Sequence, residues 1–264
     1  MNVISSTQNA KVKQVVVLQQ KSSERRKSGL FVVEGRRELG HCLNAGFECH
    51  SLFINEKQAD DMLADDMLIH CAPSDSLYMV SEAVYGKMAY RDSTEGVIAV
   101  MKSRKTTLDK LELSDNPLII VLESVEKPGN LGAVLRSADA AHVDAVIVCD
   151  PLTDLYNPNL IRSSIGAVFT VQCMACSSEE CIRFLNDHHI QILTAQLQDS
   201  RYYYNTDMTI PTAIVVGTES TGLTNVWRQA ADAHIKIPML GHLDSLNVSV
   251  STAILAFEAV RQRQ

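Results

Sequence analysis

The chain has 264 residues, of which 46% are hydrophobic and 21% are charged, and its formal net charge is −7 at pH 7. This composition is typical of a soluble globular protein with one large domain or two ordinary ones. No apolar run reaches the roughly 18–20 residues of a membrane span, and the N-terminus lacks a signal-peptide pattern. The sequence therefore predicts a cytoplasmic protein that does not enter a membrane.

The charge is distributed unevenly along the chain. Residues 1–40 hold eight basic and three acidic side chains, a net charge of +5, so the other 224 residues carry −12. A basic segment on an acidic body favours local contact with phosphate groups. A solvated helix face would have the same charge pattern, and the charges alone do not separate the two interpretations.

The first hundred residues predict a small α/β domain that starts with a helix over 11–27. The remaining predicted elements of this part are strands over 30–35, 50–55, 68–72 and 96–101 and a helix over 36–46. A polar, charged segment with few large apolar residues follows and is the linker candidate. The predicted boundaries are a domain over 1–101, a linker over 102–116 and a second domain over 117–264.

The second domain alternates strongly between strand and helix patterns. The predicted strands are 117–124, 145–150, 169–174, 191–197, 213–219 and 234–238, and the predicted helices are 130–142, 157–168, 177–189, 225–233 and from about 247 to the end. Several strands are continuous apolar runs, as expected where both faces are buried. Such alternation predicts a parallel sheet with helices on both faces.

Seven cysteines, an odd number scattered over a long chain, favour reduced thiols over a disulfide framework. Cys173 and Cys176 form a Cys-x-x-Cys pair, with Cys181 and the pair His188–His189 beyond it. Cys173 lies in a strand pattern, however, and no second Cys-x-x-Cys follows at the spacing of a zinc ribbon. We therefore predict no metal site.

Three segments that follow predicted strands have unusual compositions. In "PGNLGAVLRSADA" (128–140), Pro128 and Gly129 permit a tight turn, Asn130 is the predicted helix cap, and Arg136 lies about two turns into the helix. In "IVVGTESTGL" (214–223), glycines flank Glu219, but the spacing matches neither a Walker loop nor a dinucleotide-binding loop.

The third segment is "IKIPMLGHLDSLNVSVSTAIL" (235–255). From Leu246 to Phe257 the chain carries no charge, yet it places small polar residues between apolar ones at the start of the last helix. This predicts that the helix start packs against something tight and polar. Taken singly, each of the three segments also has a plain structural explanation as a turn or a helix cap.

In order and spacing, the three segments together resemble the signature motifs of the SpoU (TrmH) branch of the SPOUT methyltransferases. The N-terminal third, with "NAKVKQVVVLQQKSSERRKSGLFVVEGRREL" (9–39), looks like the substrate-binding domain that precedes the catalytic domain in many rRNA-modifying members. One departure is Lys127, which stands where an acidic residue or Asn is common before the Pro-Gly of the first motif.

The resemblance implies a C-terminal α/β domain with a deep trefoil knot, preceded by a smaller α/β substrate-binding domain. It also implies S-adenosyl-L-methionine as cofactor, a homodimer with the last helix in the interface, and methyl transfer to a ribose 2′-hydroxyl of RNA. The implied cofactor-binding residues are Gly217, Ile237, Leu246 and, as a weaker candidate, Thr194. The implied catalytic residues are Arg136, Asn130, Glu219, Ser245 and Asn247, with Arg136 completing the site of the other subunit.

The implied N-terminal domain gives the basic segment a role in RNA binding. The candidate phosphate-binding residues are Lys11, Lys13, Arg25, Arg26, Arg36 and Arg37. The accessory domain favours 23S ribosomal RNA as the substrate, with transfer RNA as the alternative. A non-catalytic RNA-binding assembly factor of the same fold, and a nucleotide-dependent enzyme on an ordinary doubly wound fold, are the competing functions.

Overall fold

The computed structural model describes residues 1–90, 95–218, 221–243 and 245–264. The chain forms two compact units. One consists of Met1–Lys105 and Tyr156–Thr170, and the other of Thr106–Leu155 and Val171–Gln264. The segment 156–170, which lies within the range predicted for the second domain, thus belongs to the N-terminal unit.

The N-terminal unit is built on a mixed five-stranded sheet. Its strands are β1 (Asn2–Ile4), β2 (Leu30–Glu34), β3 (Cys49–Asn55), β4 (Leu77–Val80) and β5 (Val97–Lys102). They lie in the order β1-β4-β3-β5-β2. β4 pairs in parallel with β1 and β3, whereas β5 is antiparallel to β3 and β2. The helices over residues 1–105 are α1 (Ala10–Gln20), α2 (Ser22–Ser28), α3 (Arg36–Asn44), α4 (Ala59–Leu63), α5 (Asp66–His70) and α6 (Glu82–Met88).

The C-terminal unit is built on a seven-stranded sheet that is parallel throughout, as predicted. Its strands are β6 (Leu118–Glu123), β7 (Ala145–Cys149), β8 (Cys173–Cys176), β9 (Gln191–Ala195), β10 (Arg201–Tyr202), β11 (Thr212–Val216) and β12 (Ala233–Lys236). They lie in the order β10-β12-β9-β11-β6-β7-β8. From residue 106 onward the helices are α7 (Pro128–Ala140), α8 (Pro158–Ser163), α9 (Ala167–Thr170), α10 (Ser178–Asp187), α11 (Asn225–Ala230) and α12 (Val248–Arg263), of which α8 and α9 belong to the N-terminal unit.

Four predictions of local structure were wrong, each for a local reason. The helix over 11–27 is two helices, because Lys21 between them is extended (φ −118°, ψ 108°). The segment predicted as a strand over 68–72 is helical as far as His70, since Asp65 caps α5 by accepting from the N–H of Met67 at 3.1 Å. The helix over 157–168 is broken where Ile165 and Gly166 adopt positive φ. The strand over 169–174 begins only at Cys173.

Three short strands at or next to a sheet edge were not predicted from the sequence. β1 and β10 have three and two residues, and β4 has four, which is too short for an alternation to be recognised. The trefoil knot stays a prediction. No helix among the described residues is both long and apolar enough to cross a membrane.

The core of the C-terminal unit contains the single tryptophan of the chain. Trp227 on α11 is fully buried and packs in one cluster with side chains from β6, β7, β9, β11 and α10. Its Nε1–H donates to Ser178 Oγ at 2.9 Å, and that hydroxyl donates to Asp150 Oδ2 at 2.6 Å. The polar end of the indole is therefore satisfied, as a buried Trp requires.

We expect Trp227→Ala to lower the free energy of unfolding by about 3–5 kcal/mol, because it leaves a large cavity in this cluster. The measurement is urea denaturation followed by circular dichroism. The matched control is Val226→Ala on the same helix, which removes a side chain that is 41% exposed and changes stability by only about 0.5 kcal/mol. Equal effects of the two substitutions would contradict the assigned core.

Candidate active site

A cavity of about 370 Å³ opens beyond the carboxyl ends of β9, β11 and β12, against the start of α12. Its size is that of a small-molecule site. The carboxyl ends of parallel strands are also where ligands bind in open α/β sheets, because loops and helix N-termini converge there. All of its lining residues belong to the C-terminal unit.

The cavity brings together two of the three motif segments, 214–223 and 235–255. Four predicted site residues line it: Gly217, Ile237, Ser245 and Leu246. Thr194 lies one residue before the lining. It is fully buried, and its Oγ1 lies 2.6 Å from His234 Nδ1, so its hydroxyl joins β9 to β12. The residues at the end of β9 that reach the cavity are the following ones, Ala195 and Gln196.

Gly217 occupies a position that no side chain could share. A Cβ on Gly217 would lie 2.4 Å from the carbonyl carbon and oxygen of Gly222 and 2.7 Å from Leu223 N. These are backbone atoms, which cannot turn aside as a flexible side chain can. The loop after β11 folds back on itself here, with a bridge between Thr218 and Gly222. The close approach of two backbones therefore shapes the wall of the cavity.

Two residues that line the cavity each have a buried polar atom with no hydrogen-bond partner among the described residues. The atoms are Gln196 Oε1 and Arg228 Nε, an acceptor and a donor. A buried polar group without a partner costs free energy, so such groups are expected to meet a ligand. With apolar side chains such as Ile235, Ile237 and Leu246 alongside, this pair of polar atoms suits a small molecule that is part polar and part apolar.

The start of α12 is joined to α7 through two asparagines. Asn247 caps α12, with its Oδ1 accepting from Ser249 N at 3.0 Å, and its Nδ2 donates to Asn130 Oδ1 at 3.2 Å. The sequence had predicted Asn130 as the cap of α7. This was wrong, because α7 begins at Pro128 and its N-cap residue is Lys127. The first and third motif segments therefore meet through side chains that sequence analysis had singled out.

Arg136, another predicted catalytic residue, has no part in this link between α7 and α12 among the described contacts. Arg136 is exposed on α7 and is not among the described residues that line the cavity in the same chain. Glu219 lies outside the described residues.

Sequence analysis missed a second carboxylate near the second motif. Glu123, at the carboxyl end of β6, is 3% exposed and accepts from Thr224 N at 2.8 Å and from Thr224 Oγ1 at 2.6 Å. Glu123 thereby joins Thr224, just after the loop that follows β11, to the end of β6. The sequence did contain a signal for this role, because Glu123 is the one acidic residue of β6 and stands at the end of a continuous apolar run.

The six predicted phosphate-binding residues of the N-terminal unit fall into three groups. Arg25 is only 5% exposed and donates to the carbonyls of Leu18 and Gln19, so it supports α1 and is not available to a phosphate. Arg36 and Arg37 are exposed and pair with Asp65 and Glu38, respectively. The third group consists of three exposed residues, Lys11, Lys13 and Arg26.

Three cysteines lie close together, but they are not the set Cys173, Cys176 and Cys181 that the sequence analysis considered as a metal site. Cys149, Cys176 and Cys181 lie together, with their Sγ atoms within 4.8 Å of one another. Cys173, half of the Cys-x-x-Cys pair, is not in this group, and burial raises the pKa of its thiol to about 12. Cys149 and Cys176 are neighbours in register on β7 and β8, which explains their proximity.

Both units match known families. Residues 117–257 match the SpoU rRNA Methylase family, and residues 9–99 match an MRM3-like substrate binding domain. A 23S rRNA (guanosine-2'-O-)-methyltransferase from Photobacterium profundum is 39% identical over 65% of this chain and 73% of its own.

Two solved structures resemble the whole chain. A crystal structure of an RNA 2'-O ribose methyltransferase is 38% identical, with a TM-score of 0.83 and 99% of each chain covered. An AdoMet-bound rRNA methyltransferase from Sinorhizobium meliloti is 26% identical, with a TM-score of 0.89 over 100% of this chain and 98% of its own. The fold and the cavity thus define an α/β methyltransferase. The protein belongs to the SpoU rRNA methylase family.

We expect Gly217→Ala to destabilise the protein by about 1–3 kcal/mol, because the added methyl group overpacks a contact between backbones. Thermal unfolding measures the effect. Gly241→Ala is the matched control, since a Cβ at Gly241 would meet no atom within 4 Å. If both variants unfold like the wild type, the close approach of Gly217 and Gly222 is not present in solution.

Proposed function

We propose that this protein transfers the methyl group of S-adenosyl-L-methionine to a ribose 2′-hydroxyl of 23S ribosomal RNA in the cytoplasm. The observation that carries the proposal is the cavity at the carboxyl ends of β9, β11 and β12, lined by two of the motif segments of a SpoU-family chain. The relative from Photobacterium profundum is named for the same reaction on 23S rRNA. The match of residues 9–99 to an MRM3-like substrate binding domain supports a substrate-binding role for the N-terminal unit, and the 23S rRNA in the relative's name favours this RNA over transfer RNA.

The cavity has groups that fit the cofactor. Leu246, Ile237 and the backbone beside Gly217 would hold the adenosyl part, and the side chains of Gln196 and Arg228, each with an unpaired buried polar atom, would bind its polar groups. When bound, the cofactor supplies a methyl group on a positively charged sulfur, which is already electrophilic. The protein therefore has to position the attacking oxygen and assist the loss of its proton.

Arg136 is the proposed positioning group for the RNA. A guanidinium group is a poor proton acceptor but binds phosphate through two parallel hydrogen bonds. In this mechanism Arg136 holds an RNA phosphate and orients the 2′-hydroxyl, and the proton leaves to solvent. The link from Asn247 to Asn130 fixes the first turn of α7, the helix that carries Arg136. Ser245 lines the cavity and has a hydroxyl to offer the substrate.

The catalytic unit is proposed to be a homodimer. On α12, Val250 and Phe257 are each 46% exposed, and they lie seven residues apart on one face with Ala253 and Ile254 between them. An exposed apolar stripe of this kind is typical of an interface. Arg136 does not line the described cavity of its own chain, which supports a site completed by Arg136 of a second copy.

The N-terminal unit is proposed to bind RNA through its exposed cations. Lys11, Lys13 and Arg26 are the best candidates, because they are exposed and Arg25 is not. The ion pairs of Arg36 with Asp65 and of Arg37 with Glu38 reduce the charge that these residues offer to phosphates.

We expect Arg136→Ala to reduce methyl transfer to ribosomal RNA roughly 10²-fold, because the orientation of the hydroxyl is no longer held. Cofactor affinity should stay unchanged, because Arg136 does not line the described cavity. The methyl-transfer activity of Arg136→Lys should lie between that of the wild type and that of Arg136→Ala, since lysine keeps the charge but not the planar guanidinium group. The assay follows label from S-adenosylmethionine into size-fractionated RNA, and the sites are mapped for 2′-O-methylation.

Two controls sharpen this test. Arg183→Ala removes an exposed arginine whose Nε–H donates to the carbonyl of Glu179, and it should leave transfer intact. Mixing Arg136→Ala chains with folded Gly217→Ala chains, each first shown to be inactive by itself, tests the dimer, because a mixed dimer has one intact cavity facing one intact Arg136. Random pairing then restores about one quarter of wild-type activity. No recovery after confirmed subunit exchange would refute completion of the site by a second copy.

The N-terminal cations predict a salt effect. Replacing both Lys13 and Arg26 by Ala should make the dependence of log RNA affinity on log salt concentration shallower, by about one for each phosphate that the protein then no longer neutralises. Filter binding to ribosomal RNA at several salt concentrations measures this slope. The control is Lys87→Ala, an exposed lysine on α6. An unchanged slope in the double variant would remove these two residues from the RNA-binding surface.

A further inference from the structure

Three consecutive tyrosines lie at the edge of the parallel sheet. Tyr202 ends β10, the edge strand, and pairs in register with Lys236 on β12. The rings of Tyr202 and Tyr204 are stacked, with centroids 5.4 Å apart and planes 17° from parallel. Tyr203 meets Tyr204 edge to face at 5.2 Å. We call Tyr202, Tyr204 and Lys236 the tyrosine platform.

The platform combines exposed aromatic surface with positive charge. Tyr202 is 41% exposed and Tyr204 is 47% exposed. The Lys236 ammonium group lies 5.4 Å from the centre of the Tyr202 ring. Arg201, the residue before Tyr202, is exposed. Two exposed acidic residues lie in the same stretch of chain, Asp199 and Asp207, and the carboxylate of Asp207 accepts from the backbone N–H and hydroxyl of Thr209. The stacked rings, with the cations of Lys236 and Arg201 beside them, favour a polyanion that carries aromatic groups.

The platform is also continuous with the active site. Lys236 belongs both to the platform and to the lining of the cavity, together with its neighbours Ile235 and Ile237. Gln196 and Leu197, which follow the strand next to β12, line the same cavity. A nucleotide chain that places a ribose at the cavity mouth has its neighbouring nucleotides within reach of this edge.

We propose that the tyrosine platform binds unpaired bases of the substrate RNA next to the nucleotide that is methylated. Bases have flat π-faces that stack on exposed tyrosine rings, and the phosphates between them meet Lys236 and Arg201. Bases in a duplex are already stacked on each other, so the surface selects single-stranded segments. The inference rests on the proposed function, because it names the form of RNA that this site takes.

The experiment uses the full chain with a single-stranded RNA oligonucleotide of about 12 nucleotides and with the blunt duplex of the same sequence. The variants are Tyr202→Ala, Tyr204→Ala, the two corresponding Phe substitutions, and Ile210→Ala. Ile210 is 47% exposed in the same stretch of chain and lies outside the stack, which makes it the matched control. Affinity for each RNA, affinity for S-adenosylmethionine and mass by light scattering are measured for every protein.

We expect the wild type to prefer the single strand and each Ala variant to bind it on the order of tenfold more weakly. The Phe variants and Ile210→Ala should bind like the wild type, because they keep the two rings. Cofactor affinity and mass should not change. Ala variants with wild-type affinity for the single strand would overturn the proposal. So would Ala variants that change the oligomeric mass while RNA affinity is kept, since the tyrosines would then contact a second copy.

This result can be separated from the test of the methyltransferase activity. If the wild type methylates ribosomal RNA and the Ala variants do so with an unchanged KM for RNA, the tyrosine platform alone is refuted. If the wild type binds the single strand through the tyrosines but transfers no methyl group to any RNA, the platform stands and the proposed reaction fails.

Discussion

The close approach of the backbones of Gly217 and Gly222 is the constraint that shapes the rest of the site. Any side chain at Gly217 would overlap the carbonyl group of Gly222, so the loop after β11 folds back only with glycine there. The compact loop leaves a cavity between the ends of β9, β11 and β12. Thr224, just beyond the loop, is fixed to the end of β6 by the buried carboxylate of Glu123. The two hydrogen bonds from Thr224 to Glu123 thus fix the end of the loop that forms one wall of the cavity.

The opposite wall explains the polar start of an otherwise apolar helix. Ser245 and Leu246 line the cavity, Asn247 caps α12 and reaches Asn130, and Val248 is buried. Large apolar side chains would fill the cavity, and long charged ones would not fit against α7. Small polar groups satisfy the free N–H groups of the first turn and still allow close packing. The composition of this segment therefore follows from what it packs against.

The geometry divides the proposed chemistry between two places on the chain. The residues proposed to bind the cofactor line one cavity, whereas Arg136 is exposed on α7 and is not among the described residues that line it. The proposed homodimer would reconcile these positions, with the exposed apolar residues Val250 and Phe257 on α12 as its proposed contact surface. The tyrosine platform would extend the same site toward the flanking nucleotides. Recognition and catalysis then share the edge of one sheet.

Local sequence patterns were enough to predict the parallel sheet of the C-terminal unit and to single out the three motif segments, because buried strands and glycine turns can be recognised without a structure. The residues that line the cavity, such as Gly217, Ile237 and Leu246, were implied by the family resemblance of these segments. The same patterns mispredicted 68–72, where the Asp65 cap outweighed an apolar run, and they placed Arg25 among the exposed cations. Other features became visible only in the folded chain. Thr194 joins two strands, Gln196 and Arg228 have unpaired atoms at the cavity, and Tyr202 stacks on Tyr204. These features depend on contacts between distant segments or on burial, which the order of residues along one strand or helix does not encode.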